Sequence, residues 1–331
     1  MVSCESPGIL VLTELVDNGL LTTRTRLLVG LAQYLTAGLH GELIALVTGN
    51  GAAKAAREAA SLGVDTVLLA DSPSFGTSGT EALAANICEV CAGLRPRLVV
   101  APHTQAAQDF MPMVAFRLGT ALVTDCVGIT AREDSTLVFT KPIYGGNALA
   151  EFVSGSPTTL ATVRIGSGRE PTECGHAGSI VPVPVREGRY RLEVLESKHD
   201  EPSGPVLEEA GVVVAGGRGL GGPEGFDKLR GLADTLGGAV GASRPPCDLG
   251  WADPDTQVGI TGKIVAPDIY IAVAISGSSQ HLTGMSDSGT VVALNNDPDA
   301  CIFNAADYGV VADWQQVLPA FSRKVRELLG S

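Results

Sequence analysis

The feature that most constrains this chain is an alternation between short apolar runs and stretches of helical period, and it occurs twice. In the first half, "GILVLTEL" (8–15), "ELIALV" (42–47), "DTVLLA" (65–70) and "RLVVAP" (97–102) are rich in Val, Leu and Ile, the composition of strands covered on both faces. Between them, "TTRTRLLVGLAQYLTAGLH" (22–40), "AAKAAREAASLG" (52–63) and "TEALAANICEVCAG" (80–93) repeat at helical spacing, and a further helix is expected to run to about Leu118. Strand, helix, strand repeated in this way predicts a doubly wound parallel sheet. From about Val127 the period changes. "STLVFTKPIYGGNALAEFVSG" and "TTLATVRIG" alternate apolar with polar residues, which predicts added antiparallel strands. A second α/β unit begins at Gly211, with parallel strands expected at 211–216, 238–243, 269–275, 289–295 and 308–313 and a closing helix at 314–330. The Pro- and charge-rich stretch 181–210 reads as an inter-domain connection. The expected layout is therefore a first domain at 1–190, a linker at 191–206 and a second domain at 207–331.

Several classes of function are excluded at this point. The formal net charge of −13, with no basic run, argues against non-specific nucleic-acid binding. No stretch approaches the roughly 20 apolar residues of a membrane helix, so direct membrane insertion is not expected. Met1 to Pro7 lacks a basic or apolar leader, and the expected compartment is cytoplasmic. The odd number of cysteines, 7, suits reduced thiols better than a disulfide framework. Cys88 and Cys91 form a C-x-x-C, but within a helical pattern they share one face and read as a core pair. No metal site is expected.

One motif invites a specific reading. "GVVVAGGRGLGGPEGF" (211–226) contains a literal G-x-G-x-x-G at Gly217, Gly219 and Gly222. A nicotinamide dinucleotide site also needs an acidic residue about 20 positions on, to hold the ribose hydroxyls. This chain has Ser243-Arg244-Pro245 there, and the nearest acid, Asp248, follows two prolines. Polar or small loops follow the strands of this unit: "SRPP" (243–246), "QVGITGKIVAP" (257–267), "SGSSQHLTGM" (276–285), "NNDPDA" (295–300) and "ADW" (312–314). Ligand sites in open parallel sheets form from such loops, so an extended ligand with many hydrogen-bonding groups is expected.

These loops carry a resemblance. "SRPPCDLGWADPDTQVGITGKIVAPDIYIAVAISGSSQHLTGM", followed by "NNDPDACIFNAADYGVVAD", resembles the FAD-binding domain of the electron transfer flavoprotein alpha subunit; "YGGNALA" (144–150) and "PHTQAAQDFMPMVAFRLG" extend the likeness into the first half. It implies an N-terminal scaffold and partner-interface domain and a C-terminal FAD-binding domain. The glycine motif then becomes a strand-to-helix turn. Ser276, Gly277, Ser278, Ser279 and Gln280 correspond to the segment against the FAD pyrophosphate, where main-chain N–H groups at a helix N-terminus favour an anion. The resemblance places His281 beside N1 and O2 of the isoalloxazine and Arg244 over the ring. A unit cation about 4 Å away at an effective dielectric near 20 contributes roughly 4 kcal/mol, on the order of 170 mV for one electron before screening. It gives the Thr261 hydroxyl to N5, makes Arg218, Ser243, Gln257, Val258, Gly259, Ile260 and Trp314 further FAD contacts, and places Asn295 and Asp313 at the adenosine end. Lys263 reads as a surface or interface charge. Ile260 stands where the family usually has Gln, "SGSSQH" where "SGAIQH" is common, and Asn296 where Lys is frequent.

The resemblance implies one FAD in this subunit and a beta subunit carrying AMP or a second FAD. The chain would be an electron carrier subunit rather than a stand-alone enzyme, passing single electrons from an acyl-CoA dehydrogenase to a quinone-linked oxidoreductase. Two alternatives stand beside this: an electron-bifurcating complex oxidising NADH, and a non-redox nucleotide-binding subunit of an acyl-CoA enzyme complex. No nucleophile, triad or metal cluster is evident in either half, and His103 in "APHTQ" reads as a loop residue at a sheet edge or subunit interface.

Overall fold

The computed structural model describes residues 8–329 apart from residues 17, 40, 78, 147, 173–176, 187, 189, 191–193 and 197–204. The chain divides into two compact units, Met1–Lys198 and His199–Ser331. Most of the expected linker, 191–206, lies outside the described residues.

The first unit begins β1 (Ile9–Leu12), α1 (Thr23–Leu39), β2 (Leu43–Gly49), α2 (Ala53–Ser61) and β3 (Thr66–Asp71). It continues with α3 (Ser74–Thr77), α4 (Gly79–Leu94), β4 (Leu98–Pro102), α5 (Gln105–Leu118) and β5 (Ala121–Cys126). It ends with β6 (Gly128–Ala131), β7 (Leu137–Ile143), β8 (Ala148–Val153), β9 (Thr159–Val163) and β10 (Ser179–Pro182). Seven strands form one parallel sheet in the order β10-β3-β2-β1-β4-β9-β5. Successive β1 residues point to opposite faces: Ile9 and Val11 enter one core cluster, beside α1 and α2 residues such as Leu28 and Ala55. Leu10 and Leu12 enter the other, beside Ile87 of α4 and Met111 of α5. Thr104 starts α5 by accepting from the Ala107 amide at 3.1 Å, and Gly119 ends it in the left-handed conformation at φ 61°.

The antiparallel expectation is half right. β6, β7 and β8 form a separate three-stranded antiparallel sheet. "TTLATV", however, becomes β9 in the middle of the parallel sheet, between β4 and β5. All five β9 residues are buried. Its alternation misleads because Thr159 and Thr162, polar in a pattern count, are themselves buried. Two edge elements, β5 and β10, were not expected as strands; β10 takes up the beginning of the Pro-rich stretch and pairs in parallel with β3.

The second unit contains β11 (Val212–Gly216), α6 (Pro223–Leu236), β12 (Ala239–Ala242), α7 (Arg244–Asp248) and β13 (Ile269–Val273). It closes with α8 (Ser279–Thr283), β14 (Thr290–Asn295), β15 (Tyr308–Val311) and α9 (Trp314–Leu329). Its five strands are all parallel, in the order β12-β11-β13-β14-β15. Tyr270 and Ala272 of β13 face one core cluster, and Ile271 and Val273 face the other. The fold class read from the sequence is therefore the one found. Among the described residues no helix is long and apolar enough to cross a membrane.

The central place of β9 is testable. Leu160 is fully buried, so Leu160→Ala is expected to lower unfolding free energy by about 2–5 kcal/mol in urea titration; a loss under about 1 kcal/mol would instead fit a peripheral strand.

Candidate functional site

In the second unit the connections reverse direction between β11 and β13, which lie side by side. The crevice beyond the carboxyl ends at such a reversal is where open sheets bind ligands. The chain leaves β11 through Gly217 and Arg218, β12 through Ser243 and Arg244, β13 through Ala274 to Gln280, β14 through Asn295 and β15 through Asp313. Those positions carry most of the site residues expected from sequence, and the sheet brings them to one edge.

The edge is knitted together by main-chain bonds running sideways between loops. The Gly217 amide donates to Val273 O at 2.9 Å, Ser243 N to Gly216 O at 3.0 Å and Val258 N to Ala242 O at 2.8 Å. On the other side Ala274 N donates to Leu294 O at 2.7 Å and Ala312 N to Asn295 O at 3.0 Å. The glycine motif serves this knitting. A Cβ on Gly217 would sit 2.0 Å from Ala274 O, and one on Gly219 3.0 Å from Ala274 Cβ. These glycines let two protein loops touch, which accounts for them without a dinucleotide. Ala274 itself is held at φ 54°, a conformation non-glycine residues rarely take.

Ser276 to Gln280 sit beyond β13. Gly277 has φ +79°, and its Cβ would lie 2.2 Å from Ile302 N, so this segment packs tightly on the residues after β14. Ser276, Ser278, Ser279 and Gln280 are exposed. Among the described residues the amides of Ser276, Gly277 and Ser278 donate to no backbone carbonyl. α8 is a single turn of five residues, too short for a large macrodipole; what the segment offers an anion is this run of free N–H groups.

Gln257 to Lys263 form a strap over α8. Ile260 N donates to Gln280 O at 2.9 Å, Lys263 N to Gln257 O at 2.7 Å, and Gln257 Nε2 to Thr261 Oγ1 at 2.9 Å. Gly259 and Val258 are buried while Ile260 and Thr261 are exposed. Lys263 pairs with Glu208 at 3.0 Å. A Cβ on Gly284 would meet Gly259 N at 2.4 Å, so strap and helix turn are in close contact.

Four expected contacts look different in three dimensions. His281 is buried, with Nδ1 3.1 Å from Val258 O and Nε2 3.0 Å from the Tyr270 hydroxyl; both ring nitrogens are engaged inside the chain. Asn295 is also an internal brace: its Nδ2 donates to Ile275 O at 2.8 Å and its Oδ1 accepts from Asp297 N at 3.0 Å. Trp314 is buried in the core. Arg244 is exposed and pairs with Asp248 at 3.2 Å, so solvent and a counter-charge screen it. Arg218 and Asp313 are exposed, and Asp313 accepts from the Gln315 amide at 2.9 Å. Ser243 is buried. Sequence reasoning missed Tyr270, which reads as one more apolar residue of "IYIAVAI"; the signal was that a buried tyrosine hydroxyl needs a partner.

The first unit has its own polar cluster at the carboxyl edge of its sheet. His103 Nδ1 lies 2.8 Å from Thr162 Oγ1 and Nε2 3.7 Å from Asp125, which Arg164 grips at 2.5 and 2.9 Å. Burial lowers the His103 pKa and the Asp125 charge opposes that. Thr162 and Arg164 are buried, so the cluster ties β4, β9 and β5 together from within. In α4, burial pushes the Cys91 thiol up to about 12, the behaviour of an inert core cysteine.

Comparison with known proteins agrees with this geometry. Residues 9–186 match the family model "Electron transfer flavoprotein domain" and residues 206–286 match "Electron transfer flavoprotein FAD-binding domain". The chain belongs to the electron transfer flavoprotein alpha-subunit family. The electron transfer flavoprotein subunit alpha of Bacillus subtilis is 37% identical over 321 residues, 97% of this chain and 98% of that protein. That of Pseudomonas aeruginosa is 39% identical, covering 96% and 100%, and that of Megasphaera elsdenii 35% identical, covering 98% of each. Membership gives the chain a role in electron transfer as a flavoprotein, and the free amides beyond β13 fit the anionic diphosphate of a flavin dinucleotide.

Burial lowers the His281 pKa to about 4, against about 6.5 when unfolded. Between these values the unfolded chain binds the extra proton, so stability rises with pH across the window and falls as pH drops from about 6.5 towards 4. His103 acts in the same direction. Chemical denaturation at several pH values is expected to show a smaller acid loss for His281→Gln than for the wild type; equal pH slopes would mean the ring is not buried neutral.

Proposed function

We propose that this chain is the FAD-binding alpha subunit of a heterodimeric electron transfer flavoprotein. In this reading it shuttles single electrons between acyl-CoA dehydrogenases and a quinone-linked oxidoreductase in the cytoplasm. The observation that carries it is the convergence of five strand exits on one sheet edge, in a unit of which residues 206–286 match the family's FAD-binding model.

FAD, when bound, supplies the one-electron redox chemistry; the protein supplies binding, orientation and electrostatics. The amides of Ser276 to Ser278 would hold the diphosphate, with the hydroxyls of Ser278 and Ser279 beside them. Arg218 at the exit of β11 would add a cation there, and Asp313 at the exit of β15 would accept from ribose hydroxyls. Ser243, Gln257, Val258, Gly259, Ile260 and Thr261 form the strap and loop that would border the ring, with the Thr261 hydroxyl as donor. The first domain, residues 1–190, would act as scaffold and partner surface, with 191–206 as the connection to residues 207–331. The beta subunit would carry AMP.

Arg244 would favour the negatively charged, reduced ring. Its side chain is 65% exposed and paired, so the relevant magnitude is that of exposed pairs, up to about 1 kcal/mol. That corresponds to about 40 mV, not the larger figure for an unscreened cation. Redox titration of Arg244→Ala in the flavin-loaded complex is expected to lower the potential by tens of millivolts. An unchanged potential would remove Arg244 from the ring's surroundings.

The nucleotide content of the purified complex, released by denaturation and resolved by chromatography, tests the wider reading. One FAD and one AMP per heterodimer are expected. Two FAD would replace the proposal with electron bifurcation from NADH, and a folded complex without flavin would leave only a structural role.

A further inference from the structure

Tyr270 is the second residue of β13, fully buried among Val213, Ala215, Val258 and Met285. Phenylalanine would fill this place at no polar cost, whereas burying a hydroxyl is unfavourable unless it is hydrogen-bonded. Among the described residues the Tyr270 hydroxyl has one such partner, His281 Nε2 at 3.0 Å, and the rings stand 6.1 Å apart between centroids at 58°. The other ring nitrogen lies 3.1 Å from the Val258 carbonyl oxygen.

The chemistry of these partners fixes every proton. A carbonyl oxygen only accepts, so Nδ1 must carry hydrogen and donate to Val258. Burial keeps the imidazole neutral, its pKa lowered to about 4, with the Val258 bond as the opposing influence and no charged side chain among the causes. A neutral ring protonated at Nδ1 leaves Nε2 as an acceptor. The Tyr270 hydroxyl must therefore donate.

We propose that Tyr270 is a positioning residue: by donating to Nε2 it holds the His281 ring in place, so that the Nδ1–H stays on the Val258 carbonyl and fixes the 257–263 strap against α8. Val258 joins the strap to the end of β12 through Val258 N to Ala242 O, 2.8 Å. Ile260 N to Gln280 O, 2.9 Å, closes the strap onto the turn that carries His281. The imidazole is thus the buried rivet of a two-point clamp: the Val258 carbonyl sets its tautomer and the Tyr270 hydroxyl holds its orientation. The effect on flavin rests on the FAD reading given above; the tautomer does not.

Long-range 1H–15N correlation spectra of the full chain in complex with its partner, labelled with 15N-histidine, test this. His281→Gln identifies the His281 signals among those of the 5 histidines. The wild type is expected to show a protonated Nδ1 and a bare, hydrogen-bonded Nε2, unchanged between pH 5.5 and 8. In Tyr270→Phe the Nε2 resonance is expected to shift to that of an unpaired nitrogen, while FAD dissociates about fivefold faster, the size of one lost buried hydrogen bond. An Nε2–H tautomer in the wild type overturns the proposal whether or not the variant folds. Tyr270→Phe spectra identical to wild type overturn it as well. The expected tautomer and the Nε2 shift in the variant, with flavin dissociation unchanged, would uphold the Tyr270–His281 bond and overturn the clamp's part in flavin retention. A complex that never holds flavin would count against the FAD reading and leave the tautomer result standing.

Discussion

The second unit depends on close contact between the chain leaving β11 and the chain leaving β13. Gly217 packs with no room for a Cβ against Ala274 O, and its amide bonds to Val273 O. With that contact in place, Ala274 turns left-handed at φ 54°, and Ser276, Ser278, Ser279 and Gln280 follow at the surface. Lateral bonds extend the same knitting to β12, β14 and the strap at 257–263. The result is an edge whose loops are bonded to one another while, among the described residues, the Ser276, Gly277 and Ser278 amides donate to no backbone carbonyl, an arrangement suited to a long polar ligand.

This contact also explains why a literal dinucleotide motif stands in a chain that shows no other mark of a nicotinamide site. Glycines recur wherever main chain meets main chain. In a nicotinamide site the partner is a pyrophosphate; here, at Gly217 and Gly219, it is the carbonyl and Cβ of Ala274. The absence of an acid near Ser243 was the sequence-level sign of the difference.

Much of this is legible in the amino-acid sequence alone. The five strands of the second unit fall within two residues of the boundaries read from apolar runs, because a parallel strand covered on both faces shows its full length as hydrophobicity. The loops of the site are legible for the complementary reason, being polar interruptions at strand ends. β9 is not, since Thr159 and Thr162 imitate a half-exposed alternation while buried. The roles of His281 and Asn295 are not legible either. Their partners, Tyr270, Val258 and Ile275, lie 11 to 23 residues away in sequence, and only the sheet brings them into contact. In each case the side chain assigned to the ligand from sequence also holds hydrogen bonds within the chain.

The most direct test of the account is a crystal structure of the flavin-loaded complex. The account predicts the FAD diphosphate within hydrogen-bonding distance of the Ser276, Gly277 and Ser278 amides, with His281 still bonded to Val258 and Tyr270. A diphosphate bound elsewhere, for example at the carboxyl edge of the first unit beside His103, would contradict it.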